Sequence, residues 1–183
     1  MKEKVLSIKA SSPPRYGDRI IFDEDYKSVV TDKKGRRITL AEHKKLYPYI
    51  VSNEVTWTVS TTMKDFLFTI PSEYVWNGAD IPPVLWCLVG SKDSPQFKVP
   101  SMIHDFLLEF KDYIYKNVLL GCMSVKDYRR LTSLIFRQSL KDYGTRTVKS
   151  NIMSGCVQAF QSTFNRKEWN ISLDKKSEAA CGS

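Results

Sequence analysis

The sequence predicts an α+β fold, with a small antiparallel sheet in the N-terminal half packed by about three C-terminal helices. Residues 55–60 alternate apolar and polar side chains, which is the periodicity of a half-buried strand. Residues 102–110 and the segments after residues 124 and 145 instead repeat apolar side chains at helical spacing. Because the strands precede the helices along the chain, we expect the helices to cover one face of the sheet.

The chain has 183 residues, of which 42% are hydrophobic and 26% are charged, and this composition fits one globular domain. Residues 11–18 are rich in Ser, Pro and Gly, so we expect residues 1–18 to form an extended N-terminal arm. A single α+β domain is predicted over residues 19–172. The polar residues of 173–183 predict a flexible C-terminal tail.

The N-terminal half carries several strand-like runs separated by turn residues. Short strands are predicted over residues 19–22, 26–30, 36–40, 55–60 and 66–70. The last two flank a turn at residues 62–65, so we expect them to form a hairpin. Residues 41–46 predict a short helix that stops before Pro48.

Three helices are predicted in the C-terminal half. The first is expected to begin at Pro100-Ser101. The second is expected to begin at Ser124, which has the acidic Asp127 three residues further on, and Gly144 is placed where a left-handed residue ends a helix. The third is expected to begin near Thr145.

The net charge of +8 is unevenly distributed. Residues 1–50 carry a net charge of +5 and residues 111–183 carry +7, whereas residues 51–110 carry −4 and contain no arginine. Basic flanks suit contacts with an acidic partner or with nucleic acid. The alternative interpretation is that these charges belong to an ordinary solvated surface.

Nucleic-acid binding would depend on three basic clusters at Lys33–Arg37, Lys44-Lys45 and Arg129-Arg130. Such clusters favour contacts with phosphates over the recognition of a sequence. The chain contains neither a Walker A loop nor a GxGxxG motif, which argues against a nucleotide-binding loop of those types.

The N-terminal residues predict a protein made in the cytosol. Residues 1–10 carry four charges and no apolar run, so they do not resemble a signal peptide. No apolar run approaches the roughly 18–20 residues that span a bilayer, so no membrane partner is expected. The four cysteines include no CxxC pair and lie near no histidine, which argues against a zinc knuckle.

The loop WNGADIPPVLW, which begins at Trp76 and ends at Trp86, is the most unusual segment. Gly78 is a candidate for a positive φ or for a close backbone approach. Pro82 and its neighbour Pro83 stiffen the exit of the loop. We interpret Trp76, Gly78, Pro82 and Trp86 as the residues that shape this loop, with both tryptophans packing against the core.

The polar residues of this region are the candidate catalytic groups. They are His104, Asp105, Asp80, Asn77 and, further along the helix, Glu109. A histidine can act as a base or bind a metal, and carboxylates can orient it or complete a metal site. His104 and Asp80 are therefore also the candidate zinc ligands, although the sequence identifies no third ligand.

A structural role explains the same residues. Neighbours on a helix point about 100° apart, so His104 and Asp105 do not form an orienting pair by adjacency. Asp105 instead suits the first turn of a helix, where N–H groups are free. We predict that His104 meets Asp80 in space and holds the loop rather than a substrate.

Three motifs in this region match a known family in order and spacing. They are FTIP, which ends at Pro71, the loop from Trp76 to Trp86, and IHDFLLE, which begins at Ile103. Together they resemble the signature of domain of unknown function 1353, a family found largely in bacteriophage genomes and prophages. The resemblance extends from about Thr56 to Phe164.

The chain departs from that family's pattern at several polar positions. The family's loop has the form TDGASIPR-x-LW, so Asn77, Asp80 and Pro83 replace its Asp, Ser and Arg, whereas the His-Asp pair is kept. The family's third motif, R-x-x-AD-x-x-F, places its Asp on Ser133 of this chain. These replacements favour a divergent member whose apolar residues are retained.

The resemblance implies a bacteriophage context. We expect a structural or assembly protein of the virion, a neck, tail or connector component, which is made in the host cytoplasm and contacts other virion proteins in a multimer without a cofactor. The alternative is a phage-encoded, metal-dependent hydrolase of cell wall or nucleotide, which would use His104 and Asp80 with zinc.

Overall fold

The computed structural model describes residues 4–62, 64–78, 94–119 and 123–163, with side chains up to residue 159. Within these ranges the fold is α+β, as predicted. The strands are β1 Val5–Ala10, β2 Tyr16–Asp18, β3 Val29–Thr31, β4 Arg37–Thr39, β5 Tyr49–Val51, β6 Val55–Thr61, β7 Asp65–Ile70 and β8 Val75–Trp76. The main helices are α1 Leu40–Leu46, α2 Pro95–Glu109, α3 Val125–Asp142 and α4 Thr147–Thr163. A short turn at Lys111–Tyr113 continues into a π-helical turn at Ile114–Val118.

The strands form three small antiparallel sheets rather than one. Their orders are β1-β6-β7, β2-β5-β8 and β3-β4. The predicted hairpin is confirmed, because β6 and β7 are adjacent and Trp57 lies opposite Phe68. Every second residue of β6 is buried, as its alternating sequence requires.

Residues 1–18 were expected to form an arm outside the domain, and the structure corrects this boundary. Val5–Ala10 pairs with β6 and places Ile8 opposite Val59, while Tyr16–Asp18 pairs with β5. Without β1, the N–H and C=O groups on that side of β6 would have no strand partner. The folded domain therefore includes residues 5–10 and 16–18.

The strands predicted at residues 19–22 and 26–30 are also wrong in part. Residues 19–22 form no strand, Asp23–Tyr26 is a 3₁₀ turn, and the next strand begins only at Val29. The Asp25 carboxylate accepts the N–H of Phe22 at 2.8 Å, and such a side-chain contact turns the backbone away from an extended path.

The helix boundaries show one correction and two confirmations. α2 begins at Pro95 and contains Pro100, where we had expected its start. Proline is well suited to the first helical position, and Pro100 in the second turn removes one backbone hydrogen bond. The Ser124 hydroxyl caps α3 by accepting the Asp127 N–H at 3.1 Å, and Gly144 has the expected positive φ of 86°.

The main core lies between the β1-β6-β7 sheet and helices α2 and α3. Its largest fully buried side chains include Trp57, Trp76, Tyr115 and Tyr128. A smaller cluster joins α2, α3 and α4 through Phe97, Phe136, Leu140 and Met153. Among the helices of the described residues, none is both long and apolar enough to cross a bilayer.

Candidate functional site

Four of the predicted residues, Asn77, Gly78, Asp105 and Glu109, lie where β8 approaches α2. We call this region the β8–α2 corner and define it by Tyr74, Asn77, Gly78, Asp105 and Glu109. The first three residues flank β8, and the last two lie on α2. Because Asp105 and Glu109 are four residues apart, they share one face of the helix.

The Asn77 side chain joins the start of the loop to α2. With its amide oriented by the surrounding donors and acceptors, Nδ2 donates to Asp105 Oδ2 at 2.9 Å and to the Gly78 carbonyl at 3.2 Å. Two of the predicted catalytic candidates therefore contact each other. Their contact fastens the end of β8 to the helix.

His104 lies on a different face of α2 from Asp105. Only 9% of the residue is exposed, and its ring packs against Phe136 of α3 with 4.9 Å between ring centroids. Its Nδ1 lies 3.8 Å from Asp105 Oδ1, which is longer than a hydrogen bond. The two neighbours therefore do not form an orienting dyad, in agreement with their predicted divergence on the helix.

A second polar contact in the corner centres on Glu109. The Tyr74 hydroxyl donates to Glu109 Oε2 at 3.0 Å, and the Lys33 ammonium forms an ion pair with the same oxygen. Lys33 Nζ also donates to the Val75 carbonyl at 2.8 Å. One lysine from the turn between β3 and β4 thus connects the N-terminal region to β8 and to the end of α2.

Two aromatic rings surround this lysine. Lys33 Nζ lies 4.5 Å from the ring centroid of Tyr74 and 5.0 Å from that of Tyr47, distances at which a cation is attracted to a ring face. Burial and the nearby carboxylates of Asp105 and Glu109 raise the pKa of the Tyr74 hydroxyl. Tyr74 is therefore a protonated donor at neutral pH and suits a structural hydrogen bond.

Lys33, Tyr47 and Tyr74 were not among the predicted site residues. Lys33 belongs to the basic run Lys33–Arg37, whose predicted role was contact with phosphates. The sequence feature that indicated a polar contact here was Glu109, a lone carboxylate at the end of the motif IHDFLLE. Pairing it with Lys33 requires a contact over 76 residues, which sequence spacing does not reveal.

Gly78 combines both properties predicted for it. Its φ is +86°, and a Cβ atom at this position would lie 2.9 Å from Cε2 of Tyr49. The centroid of the Tyr49 ring lies 5.3 Å from that of Trp76. Lys98 Nζ lies 4.4 Å from the centroid of the same Tyr49 ring. Trp76 itself is 1% exposed. The first residues of the loop are thus held by direct packing.

Other predicted groups lie outside the described residues. These are Asp80, Pro82, Pro83 and Trp86. The predicted meeting of Asp80 and His104 therefore stays a prediction. Within the described ranges, no group of three or more His, Cys, Asp or Glu residues is arranged to hold a metal ion.

The position of the family's third-motif Asp is a helix contact in this chain. Ser133 is buried, and its carbonyl accepts the hydroxyl of Ser154 from α4 at 2.9 Å. The Ser133 hydroxyl itself lies 3.4 Å from the Arg129 carbonyl one turn earlier. At this position the backbone carbonyl of Ser133 joins α3 to α4, and the side chain bonds within its own helix.

Several residues of the basic clusters are bound within the chain. Besides Lys33, Arg36 pairs with Asp32 at 2.7 Å and Lys44 pairs with Asp25 at 2.6 Å. These ion pairs reduce the positive charge that the Lys33–Arg37 and Lys44-Lys45 clusters can offer to phosphates.

This α+β domain fastens a strand-end loop to a helix through polar side chains. A family model described as "Protein of unknown function (DUF1353)" matches residues 52–157, more than half of the chain. The chain belongs to that family. No curated protein and no solved structure matches it. The match begins just after β5, so strands β1 to β5 and helix α1 lie outside the matched region.

Proposed function

We propose that this protein is a structural or assembly component of a bacteriophage virion, in its neck, tail or connector, and acts through protein–protein contacts. The phage context comes from the family resemblance. The contact role is supported by the β8–α2 corner, where candidate catalytic groups bind each other.

The observation that carries the proposal is the pairing of Asn77 with Asp105. An amide donor 2.9 Å from a carboxylate satisfies both groups and fixes the loop to the helix. Glu109 is similarly engaged by Tyr74 and Lys33. These carboxylates stabilise the position of β8 and the start of the loop against α2. A surface that contacts other virion proteins requires such a fixed conformation.

The partners in this proposal are other virion proteins in a multimeric assembly. The basic flanks add contacts to nucleic acid through phosphates, without sequence specificity. Lys34, in the turn before β4, and Arg37, the first residue of β4, are exposed and suit that secondary role.

Mass spectrometry of purified virions tests the proposal. We expect peptides of this chain in a constant ratio to the other virion proteins. A chain abundant in infected cells but missing from purified particles would contradict the proposal.

A substitution separates a structural from a catalytic Asp105. In Asp105→Asn, the new side-chain oxygen still accepts the Asn77 hydrogen bond but the charge is lost. We expect this variant to enter virions normally. Asp105→Leu, which cannot accept the bond, is the matched comparison and should enter them less efficiently because the loop is released.

The hydrolase alternative keeps one observation in its favour. His104 is 9% exposed on the helix that follows the loop, and a histidine held in such a position can act as a base. Under this alternative the purified protein would contain one zinc ion per chain, and His104→Ala would remove both the zinc and a hydrolytic activity. His43→Ala, which changes the chain's second histidine, is the matched control and should retain both.

A further inference from the structure

The segment from Ile20 to Tyr26 buries the carboxylate of Asp25 and exposes three large apolar side chains. Asp25 is only 3% exposed, whereas Ile20, Phe22 and Tyr26 are 67%, 51% and 53% exposed. Large exposed apolar side chains that gather in one segment are typical of interaction surfaces. We call Ile20, Phe22 and Tyr26 the Phe22 patch.

Lysines of α1 hold this patch in a defined conformation. Lys44 Nζ binds Asp25 Oδ2 at 2.6 Å and donates to the Ile20 carbonyl at 2.9 Å. The same ammonium lies 5.2 Å from the Phe22 ring, and Lys45 lies 5.3 Å from the Tyr26 ring. All three patch residues are thus anchored at the end of α1. A preorganised apolar patch loses little conformational entropy when a partner covers it.

The charges around the patch restrict its partner. The exposed acidic side chains in the segment are Asp23 and Glu24, and the exposed lysines beside it are Lys27 and Lys45. The rim is therefore locally neutral, although the chain as a whole carries +8. A net positive chain repels its own copies, so an interface between copies requires such a local balance.

We propose that the Phe22 patch is a self-association surface that binds the same patch on a second copy of this chain. In a two-fold interface residue i contacts residue j and residue j contacts residue i. The acidic pair of one copy then faces the lysines of the other, while Phe22 and Tyr26 form the apolar centre. Aromatic residues at the centre of an interface commonly contribute most of its affinity.

This inference specifies a partner for the contact role proposed above and rests on that role. The patch also lies in the N-terminal part of the chain, outside the family match. The self-association surface is therefore carried by the elements that precede the matched domain.

Sedimentation equilibrium of the full chain, from micromolar to millimolar concentration, tests the inference. We expect a monomer–dimer equilibrium that the double variant Phe22→Ser/Tyr26→Ser weakens by about tenfold or more. Leu67→Ser, which changes a side chain that is 56% exposed on β7, is the matched control and should leave the dimer unchanged. Circular dichroism melts establish that each variant is folded.

Charge reversal gives a second test that does not depend on the patch rings. Asp23→Lys/Glu24→Lys and Lys27→Glu/Lys45→Glu should each dimerise more weakly alone, because like charges then face each other. Mixing the two variants should restore a heterodimer. Such a restoration is a property of a two-fold contact and not of altered stability.

Three results would overturn the inference: a wild-type chain that stays monomeric at millimolar concentration, a dimer that Leu67→Ser weakens as much as the patch variant does, or a mixture that fails to recover the dimer. A monomeric chain that is nevertheless found in virions would remove this inference alone. A dimeric chain absent from virions would remove the virion role alone.

Discussion

Lys33 and Lys44 make the same three kinds of contact in two regions of the molecule. Lys33 binds the Glu109 carboxylate, the Val75 carbonyl and the face of Tyr74. Lys44 binds the Asp25 carboxylate, the Ile20 carbonyl and the face of Phe22. The chemistry is shared, but Tyr74 is 7% exposed whereas Phe22 is 51% exposed.

The two lysines differ in the distance that they bridge along the chain. Lys33 reaches residues 42 and 76 positions away, so it connects the N-terminal region to the family-matched domain. Lys44 reaches only 24 and 19 positions, so it shapes one segment beside its own helix. One set of contacts therefore closes the β8–α2 corner, and the other presents the Phe22 patch. Substitutions in the corner should affect the whole domain, and those beside the patch should act locally.

The largest effect is expected at Gly78, where the corner is tightest. Gly78→Ala should lower the free energy of unfolding by about 2–4 kcal/mol, because alanine disfavours positive φ and its Cβ would displace the Tyr49 ring. Gly144→Ala shares the φ of +86° but meets nothing within 4 Å, so it should cost only about 1–2 kcal/mol. Equal losses in denaturant titrations would show that Tyr49 does not confine Gly78.

A smaller loss is expected for Lys33→Met, which keeps the aliphatic stem and removes the ammonium. Glu109 and the Val75 carbonyl then lose a charged donor, and because the ion pair is partly exposed we expect a loss of about 1–2 kcal/mol. Lys34→Met is the control in the adjacent, exposed position and should change stability by less than about 0.5 kcal/mol. If both variants unfold at the same denaturant concentration, the Lys33 contacts do not connect the two regions energetically.

Lys44→Met should produce a local change. The loss of its contacts with Asp25 and Ile20 should increase amide hydrogen exchange in residues 20–29, while exchange in β6 and β7 stays as in the wild type. Lys45 contacts the Tyr26 ring, whereas the ion pair with Asp25 is made by Lys44. Lys45→Met should therefore have a weaker effect on the same amides. Faster exchange throughout the domain would contradict the local role of Lys44.

The smallest effect is expected on acidification below about pH 4. The Lys44 hydrogen bond, together with the Phe22 N–H, holds the pKa of Asp25 below its usual value. A carboxyl group with a lowered folded-state pKa stabilises the fold above the unfolded pKa, and this stability is lost as the pH falls through the folded pKa. Protection of the Phe22 amide should therefore be constant between pH 7 and pH 5 and decline below about pH 4.

Asp32 provides an internal comparison for this acid effect. Burial alone would raise the pKa of Asp32, but hydrogen bonds from the Arg36 backbone and side chain and from the Lys34 N–H outweigh it and lower the pKa. The Lys34 and Arg36 amides should lose protection in the same acidic range. Asp25→Asn should abolish the pH dependence at Phe22 and leave it intact at Arg36.

Local sequence signals were sufficient for several local features, although the Asp25–Phe22 turn and the start of α2 were missed. The alternation of β6, the Ser124 cap and the left-handed Gly144 were all predicted, because each depends on residues within a few positions. The left-handed Gly78 was predicted for the same reason. A close approach at Gly78 was predicted only as the alternative to a positive φ. The sequence does not show that the approaching group is the Tyr49 ring.

Contacts between distant residues account for what the sequence did not reveal. Residues 5–10 were predicted to be an arm because nothing near them indicates that β6 needs a partner on that side. Lys33 was interpreted as part of a basic surface because its carboxylate partner is 76 residues away. In the site, the Asn77–Asp105 contact joins two predicted candidates, but their mutual role emerges only from the packing of β8 against α2.

The placement of β1 has a consequence for the synthesis of the chain. Val5–Ala10 is translated before its strand partner β6, which ends at Thr61, and before helix α3, which packs against β1 and ends at Asp142. At typical translation speeds, roughly ten seconds or more separate the synthesis of β1 from the completion of α3. During this interval its apolar side chains are exposed to chaperones and to other nascent chains. Crowded co-translational conditions should therefore affect the yield of this protein more than its final stability.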